Sequence, residues 1–215
     1  MPLQSRVDPF GELFADRSRG LFMGNRGGRI HTDDQTLTKR RWVSSQWICC
    51  RLEFNNRHRT VWGDGYTELF FLDEVTALAA GHRPCFECRR QDADRFAELW
   101  ARCFGGEERA RAPAMDDQLH AERVDRDRRK VTYRARRADI PSGAFVRYAC
   151  EGSEAKAYLV VGHSLLAWDG GGYSALVLPT AVCEEVEVLT PASIVAVLAA
   201  GYRPMLHPSA ARLLG

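Results

Sequence analysis

Residues Asp73-Glu74-Val75-Thr76-Ala77-Leu78-Ala79-Ala80-Gly81-His82-Arg83-Pro84-Cys85-Phe86-Glu87-Cys88 constrain the fold more tightly than any other stretch of this chain. Asp73 is a good N-cap, and residues 74–80 predict a short helix. Gly81 stands where a left-handed residue ends a helix, and Pro84 prevents continuation. Cys85 and Cys88 follow on the turn. Two thiolates at that spacing can aim at one point, which is half of a tetrahedral zinc site. Cys50, in Trp47-Ile48-Cys49-Cys50, is the favoured third ligand. Cys49, His31, His82 or His120 completes the set. Neighbours on a strand face opposite sides, so Cys49 and Cys50 both bind one ion only if the strand breaks between them.

An internal echo separates the turn from the thiols. Leu78-Ala79-Ala80-Gly81-His82-Arg83-Pro84 recurs as Leu198-Ala199-Ala200-Gly201-Tyr202-Arg203-Pro204, with Met205 and Pro208 in place of the two cysteines. Helix, glycine, arginine and proline thus form a stop that needs no metal, which leaves the cysteines free for another role.

The chain has 215 residues, enough for one domain or two small ones, and its 27% charged and 45% hydrophobic content is that of a globular protein. No apolar run approaches the ~18 residues that span a bilayer, and no basic-then-apolar leader opens the chain. The expectation is cytoplasmic. Seven cysteines, an odd number, then favour metal ligands and buried thiols over disulfides. Cys103 falls on a helical stripe, and Cys150 and Cys183 follow strand patterns; all three read as core.

Charge is uneven. Residues 1–140 hold 26 basic against 22 acidic side chains, and residues 141–215 hold 4 against 6. Arg123, Arg126, Arg128, Arg129, Lys130, Arg134, Arg136 and Arg137 crowd together, offset only by Asp125 and Asp127. Such a cluster binds phosphates or forms a solvated face in an Arg-rich chain. Gly24-Asn25-Arg26-Gly27-Gly28-Arg29-Ile30-His31 is glycine-rich and basic, a weak phosphate-cradle pattern because no clear helix follows it.

Residues 1–30 read mostly as loop. Strands are expected at 42–43, 46–54, 57–62 (the return strand of a hairpin) and 66–72. Helices follow at 92–104 and 115–124. Strands resume at 131–135, 145–150, 155–161 and 184–189, with a sharp bend at Gly170-Gly171-Gly172. Thr190 caps a last helix at 192–200, with Pro191 at its first position. The fold class is α+β, with a helical and metal-binding region over 1–137 and a mainly antiparallel β region over 138–215 closed by a helix.

Residues 70–89 resemble the second half of the Ada-like metal-binding domain, the zinc module of a DNA methyl-phosphotriester repair protein that is also found attached to some nucleases. There an apolar strand and a short helix lead to Gly-aromatic-Arg-Pro-Cys-x-x-Cys. The likeness extends loosely over residues 24–90. It implies that Cys85 and Cys88 bind Zn2+ and that the partner is DNA, with Arg83, Arg89 and Arg90 reaching phosphates beside the metal and Arg128, Arg129 and Lys130 extending the contact. The family's Cys-x-x-x-Cys pair is missing, as is a Pro-Cys-His methyl acceptor, so the repair chemistry does not transfer. Pro84-Cys85-x-x-Cys88 with His120-Ala121-Glu122 also matches, in reversed order, the two halves of a zinc nucleobase deaminase. The leading reading is a zinc protein that contacts DNA. The alternatives are a zinc-dependent hydrolase or nuclease-like enzyme with an open metal position, and a small-molecule or protein-binding module that uses the C-terminal strands.

Overall fold

A computed structural model describes residues 2–57, 60–106, 108–149, 155–178 and 185–215. The architecture is α+β, built on two six-stranded sheets. The first sheet is mixed. It comprises β1 (Arg6–Val7), β2 (Leu13–Phe14), β3 (Phe22–Arg26), β4 (Trp47–Arg51), β5 (Leu69–Phe71) and β6 (Arg83–Pro84), in the order β2-β1-β5-β3-β4-β6. β1 runs parallel to β5 and β4 parallel to β6; the other pairs are antiparallel. The second sheet is antiparallel throughout. It comprises β7 (Tyr133–Arg136), β8 (Phe145–Tyr148), β9 (Lys156–Val161), β10 (Ser164–Asp169), β11 (Gly172–Val177) and β12 (Glu185–Val188), in the order β11-β10-β9-β8-β12-β7.

Helix α1 (Glu74–Ala79) is where the two sheets meet. Every one of its residues is buried. A helix without a polar face belongs in a core, and this one feeds three clusters. Ala77 packs with Val7, Cys49 and Phe71 of the first sheet. Val75 and Ala79 join Phe145, Leu159 and Leu166 of the second. Leu78 joins Phe96, Met115, Val160, Ile194 and Leu198, where α2 (Arg90–Phe104), α3 (Ala112–Arg123) and α4 (Ala192–Ala199) cover the second sheet. These clusters draw on both sides of position 137, so the two halves of the chain share one core. A fifth helix, α5 (Pro208–Leu214), packs on β11, where Ser209 Oγ accepts from the Tyr173 amide at 2.8 Å.

The caps of α1 follow the sequence. Asp73 Oδ1 accepts from the Thr76 amide at 3.0 Å. Gly81 has φ +86°, and the Gly81 and His82 amides return to the Leu78 and Ala77 carbonyls, both at 2.9 Å, the two bonds of a Schellman stop. The echo repeats this at Gly201 (φ +106°), with Tyr202 N to Val197 O at 3.1 Å.

Other expectations are corrected. The first thirty residues are mostly loop, as expected, but three strands that the reading did not place, β1, β2 and β3, also lie there. β3 was hidden by Gly24, where a Cβ would stand 2.1 Å from the Ile48 carbonyl oxygen; the close strand approach demands glycine. The antiparallel partner of β4 is therefore β3, upstream, rather than the expected strand at 57–62, of which 58–59 lie outside the described residues and 61–62 form a turn. Residues 42–43 are not a strand. Thr190 does not cap α4; its hydroxyl accepts from the Phe145 amide at 2.8 Å, and Pro191 takes the N-cap position. Cys103 is half-buried and faces α4, its Sγ 3.5 Å from Ala196 O. Cys150 and Cys183 lie outside the described residues. No helix among the described residues is long and apolar enough to cross a membrane.

Candidate metal centre

Parallel pairing of β4 with β6 brings the cysteines together. Ile48 stands opposite Arg83 and Cys49 opposite Pro84, and the Cys85 amide donates to Cys49 O at 3.0 Å. The next residue of β4, Cys50, then faces the turn that carries Cys85 and Cys88. The three Sγ atoms lie within 4.8 Å of one another, and all three residues are buried. Zinc–sulfur bonds of about 2.3 Å at tetrahedral angles place sulfurs roughly 3.8 Å apart, so small side-chain rotations would close the triad on an ion. The packed surroundings are Met23, Ile48, Phe54 and Phe70.

Backbone amides prepare two of the sulfurs for negative charge. The Glu87 amide donates to Cys85 Sγ and the Arg51 amide to Cys88 Sγ, each at 3.4 Å. Donors aimed at a thiolate favour its charged form. Within the triad, hydrogen bonds from Cys50 and Cys88 hold the Cys85 thiol well below its ordinary range, and the same contacts push Cys50 up. A divalent ion is what lets three crowded sulfurs all ionise.

The triad lines one wall of a pocket of about 240 Å³. Asn25, Phe54, Tyr66, Glu68, Phe70 and Glu87 contribute to the rest. Glu68 is buried, with Oε2 accepting from the Trp62 amide at 2.8 Å. Sequence reasoning missed these lining residues, since nothing in their spacing marks them.

Four candidate ligands are corrected. Cys49 points to the other face of β4, where burial raises its thiol and its Sγ accepts from Arg89 Nη1 at 3.4 Å. The strand does not break between Cys49 and Cys50, so alternation separates them. His31 is likewise engaged elsewhere: Nδ1 meets Thr67 Oγ1 at 2.6 Å, Nε2 meets Gly63 O at 3.0 Å, and the ring stacks on Trp62. His82 is fully buried between Trp47 and Phe71, and desolvation keeps it neutral. His120 lies against Trp42 and Trp47. Glu122 accepts from the amide and hydroxyl of Ser193 at 2.8 and 2.6 Å, which removes it from the deaminase role.

The expected phosphate-contacting residues divide in two. Arg83 turns inward and forms a buried bidentate pair with Asp116, at 2.8 and 2.7 Å. Arg89 is buried beside Glu74 at 2.8 Å, and Glu74 also accepts from Tyr202 Oη at 2.6 Å. Lys130 is half-buried, with its ammonium donating to Ala79 O. These three are corrected: Asp116, Glu74 and the Ala79 carbonyl, all on buried residues, take their charged heads. Arg90, Arg128 and Arg129 remain at the surface, Arg90 paired with Asp94 at 3.0 Å. Comparison with protein-family models, curated proteins and solved structures finds no significant match to this chain.

Proposed function

We propose that this is a zinc protein in which Cys50, Cys85 and Cys88 hold the ion at the wall of the pocket, and that its exposed arginines contact nucleic acid. The observation that carries the metal half is the convergence of three buried sulfurs, two of them already receiving backbone N–H bonds. The Ada-like resemblance of residues 70–89 points the same way. A packed core gains little from three mutually close thiols that aliphatic side chains would not supply, whereas zinc gains its preferred soft ligands. Metal analysis of reduced, purified protein tests this. One zinc per chain is expected, with loss on Cys85→Ser and on Cys50→Ser. Metal-free protein whose melting is indifferent to a strong chelator overturns it.

The nucleic-acid half rests on the uneven charge and on Arg90, Arg128 and Arg129 at the surface. Affinity for a short oligonucleotide should fall steeply with salt; a salt-independent signal, or none, removes it.

A second reading is favoured by one feature. The triad lines a pocket instead of a sealed core, and that pocket also holds the buried Glu68 carboxylate. Three protein ligands leave a coordination position for water, the arrangement of hydrolytic zinc. X-ray absorption separates the readings: three sulfurs and one light atom fit the hydrolase, four protein ligands a structural site.

A further inference from the structure

Arg26 and Arg123 are enclosed on the opposite side of the β4–β6 pair from the triad, around the indole of Trp47, and the half-buried Lys130 lines the same cavity. The Arg26 and Arg123 guanidinium carbons lie 4.0 and 4.1 Å from the centre of that ring. Both arginines are 1% exposed. None of the three forms an ion pair with any described residue. Arg26 donates to Gly11 O at 2.8 Å, and Arg123 to Gly81 O and Ser45 O at 2.8 and 2.6 Å. Arg123 also meets the ring nitrogen of His120 at 3.1 Å, and Arg26 the neutral His82 at 3.5 Å. Lys130 donates to Ala79 O. Every partner is neutral. Arg123 Nε is buried with no partner at all.

Buried charges in folded proteins are paired or bind a ligand. An aromatic face attracts a cation without neutralising it. The nearby acids Asp8, Glu12 and Asp116 act on the three cations only at a distance: Glu12 is paired with Arg41 at 2.7 Å, Asp116 with Arg83, and Asp8 Oδ1 accepts from the Glu12 amide. Desolvation outweighs the raising effect of Asp8, Glu12 and Asp116 and holds all three cations below their ordinary ranges.

The three cations, with Arg41, Trp47, Arg128 and the Arg41-paired Glu12, line a small cavity with room for one water-sized atom, about 10 Å³. Arg41 and Arg128 also line the neighbouring surface groove of about 340 Å³, with Arg40, Trp42 and Val43. A single oxygen fits the floor, and the remainder of its group would lie among the outer arginines. A tetrahedral oxyanion with one oxygen inward has that shape and the missing charge.

We propose that Arg26, Arg123 and Lys130 form an oxyanion site that takes one oxygen of a phosphate group, at the head of the basic groove of Arg40, Arg41 and Arg128. The site stands apart from the metal triad and does not depend on it. The phosphate comes either as free inorganic phosphate or as a phosphodiester of nucleic acid, which would deepen the second half of the reading above.

Calorimetric titration of the zinc-loaded full chain with inorganic phosphate, at ionic strength held constant with chloride, tests the site. Saturable 1:1 binding is expected, weakened at least tenfold by Lys130→Met, and unchanged by Arg95→Ala on the exposed face of α2. Lys130→Met removes an unpaired cation and keeps the aliphatic length, so it should fold; Arg41→Ala, at the exposed mouth, is the second variant and should weaken binding several-fold. A short single-stranded oligonucleotide that competes with phosphate identifies the phosphodiester as the source. Phosphate binding without competition assigns free phosphate to the site and leaves the nucleic-acid reading to the salt-dependent oligonucleotide titration alone. No saturable phosphate binding, or binding untouched by both Lys130→Met and Arg41→Ala, overturns the proposal.

Discussion

Cys49 and Cys50 are covalent neighbours whose sulfurs serve opposite faces of one strand. Cys50 Sγ joins Cys85 and Cys88, while Cys49 Sγ accepts from Arg89 Nη1, which in turn is salt-bridged through Nη2 to Glu74. The turn that supplies two candidate ligands therefore continues directly into Arg89, which ties the back of the site to the N-terminus of the buried helix.

That separation predicts two different phenotypes one residue apart. Cys50→Ser should abolish stoichiometric metal. Cys49→Ala should keep the metal and cost about 1–2 kcal/mol of stability, the value of a buried contact with a charged donor. Metal content and urea unfolding of the two variants distinguish them; metal loss in Cys49→Ala would place Cys49 in the site.

The two helix stops of the echo should respond unequally to the same change. Both glycines have positive φ, so alanine costs each roughly 1 kcal/mol. At Gly201 nothing lies within 4 Å of the new Cβ, but at Gly81 it would stand 2.6 Å from Arg123 Cδ. Gly81→Ala should therefore cost about 3 kcal/mol or more. Equal urea midpoints for the two variants would contradict the close packing of Arg123 on Gly81.

Arg83 and Asp116 form a buried pair, and removing one partner strands the other. Asp116→Asn should cost about 3–5 kcal/mol. The double variant Arg83→Met/Asp116→Leu should recover most of that, because neither charge is then left alone. Thermal unfolding of wild type, single and double variants forms the cycle. A double variant as unstable as the single one would mean that the pair contributes more than charge balance.

Stability should rise with pH above neutrality. Burial, aided by Arg26 and Arg123 and opposed by Asp8, brings the Lys130 ammonium down to about 7. Between pH 7 and the unfolded lysine range the unfolded chain binds more protons than the folded one, so unfolding becomes harder as pH rises. Asp8, pushed up to about 6 chiefly by burial, titrates below this window. Urea midpoints at pH 7 and pH 9, measured for wild type and Lys130→Met, should show a steeper rise in wild type. Parallel slopes would mean that Lys130 is not desolvated.

What lay within a few residues was legible without coordinates. The Asp73 cap, the short helix, the Gly81 stop and the Cys85/Cys88 turn are set by neighbours in sequence, and so is the fact that Cys49 and Cys50 face apart if their strand runs unbroken. The α+β class and most strands of the second sheet were readable from alternation. β10 and β11 were not: only the bend between them carried a local signal.

Tertiary structure alone decided the rest. β3 reads as a glycine-rich loop because its strand character comes from pairing with β4 and β5 on either side. Which cysteine joins the pair was settled by the register of β4 against β6. Arginine pattern alone does not distinguish a solvated residue from one such as Arg26, Arg83, Arg89 or Arg123 that is enclosed by segments distant in the chain. Helix caps and turns are local hydrogen-bond and steric events, so the sequence specifies them directly; burial and convergence depend on which surfaces meet, and that is a property of the whole packed molecule.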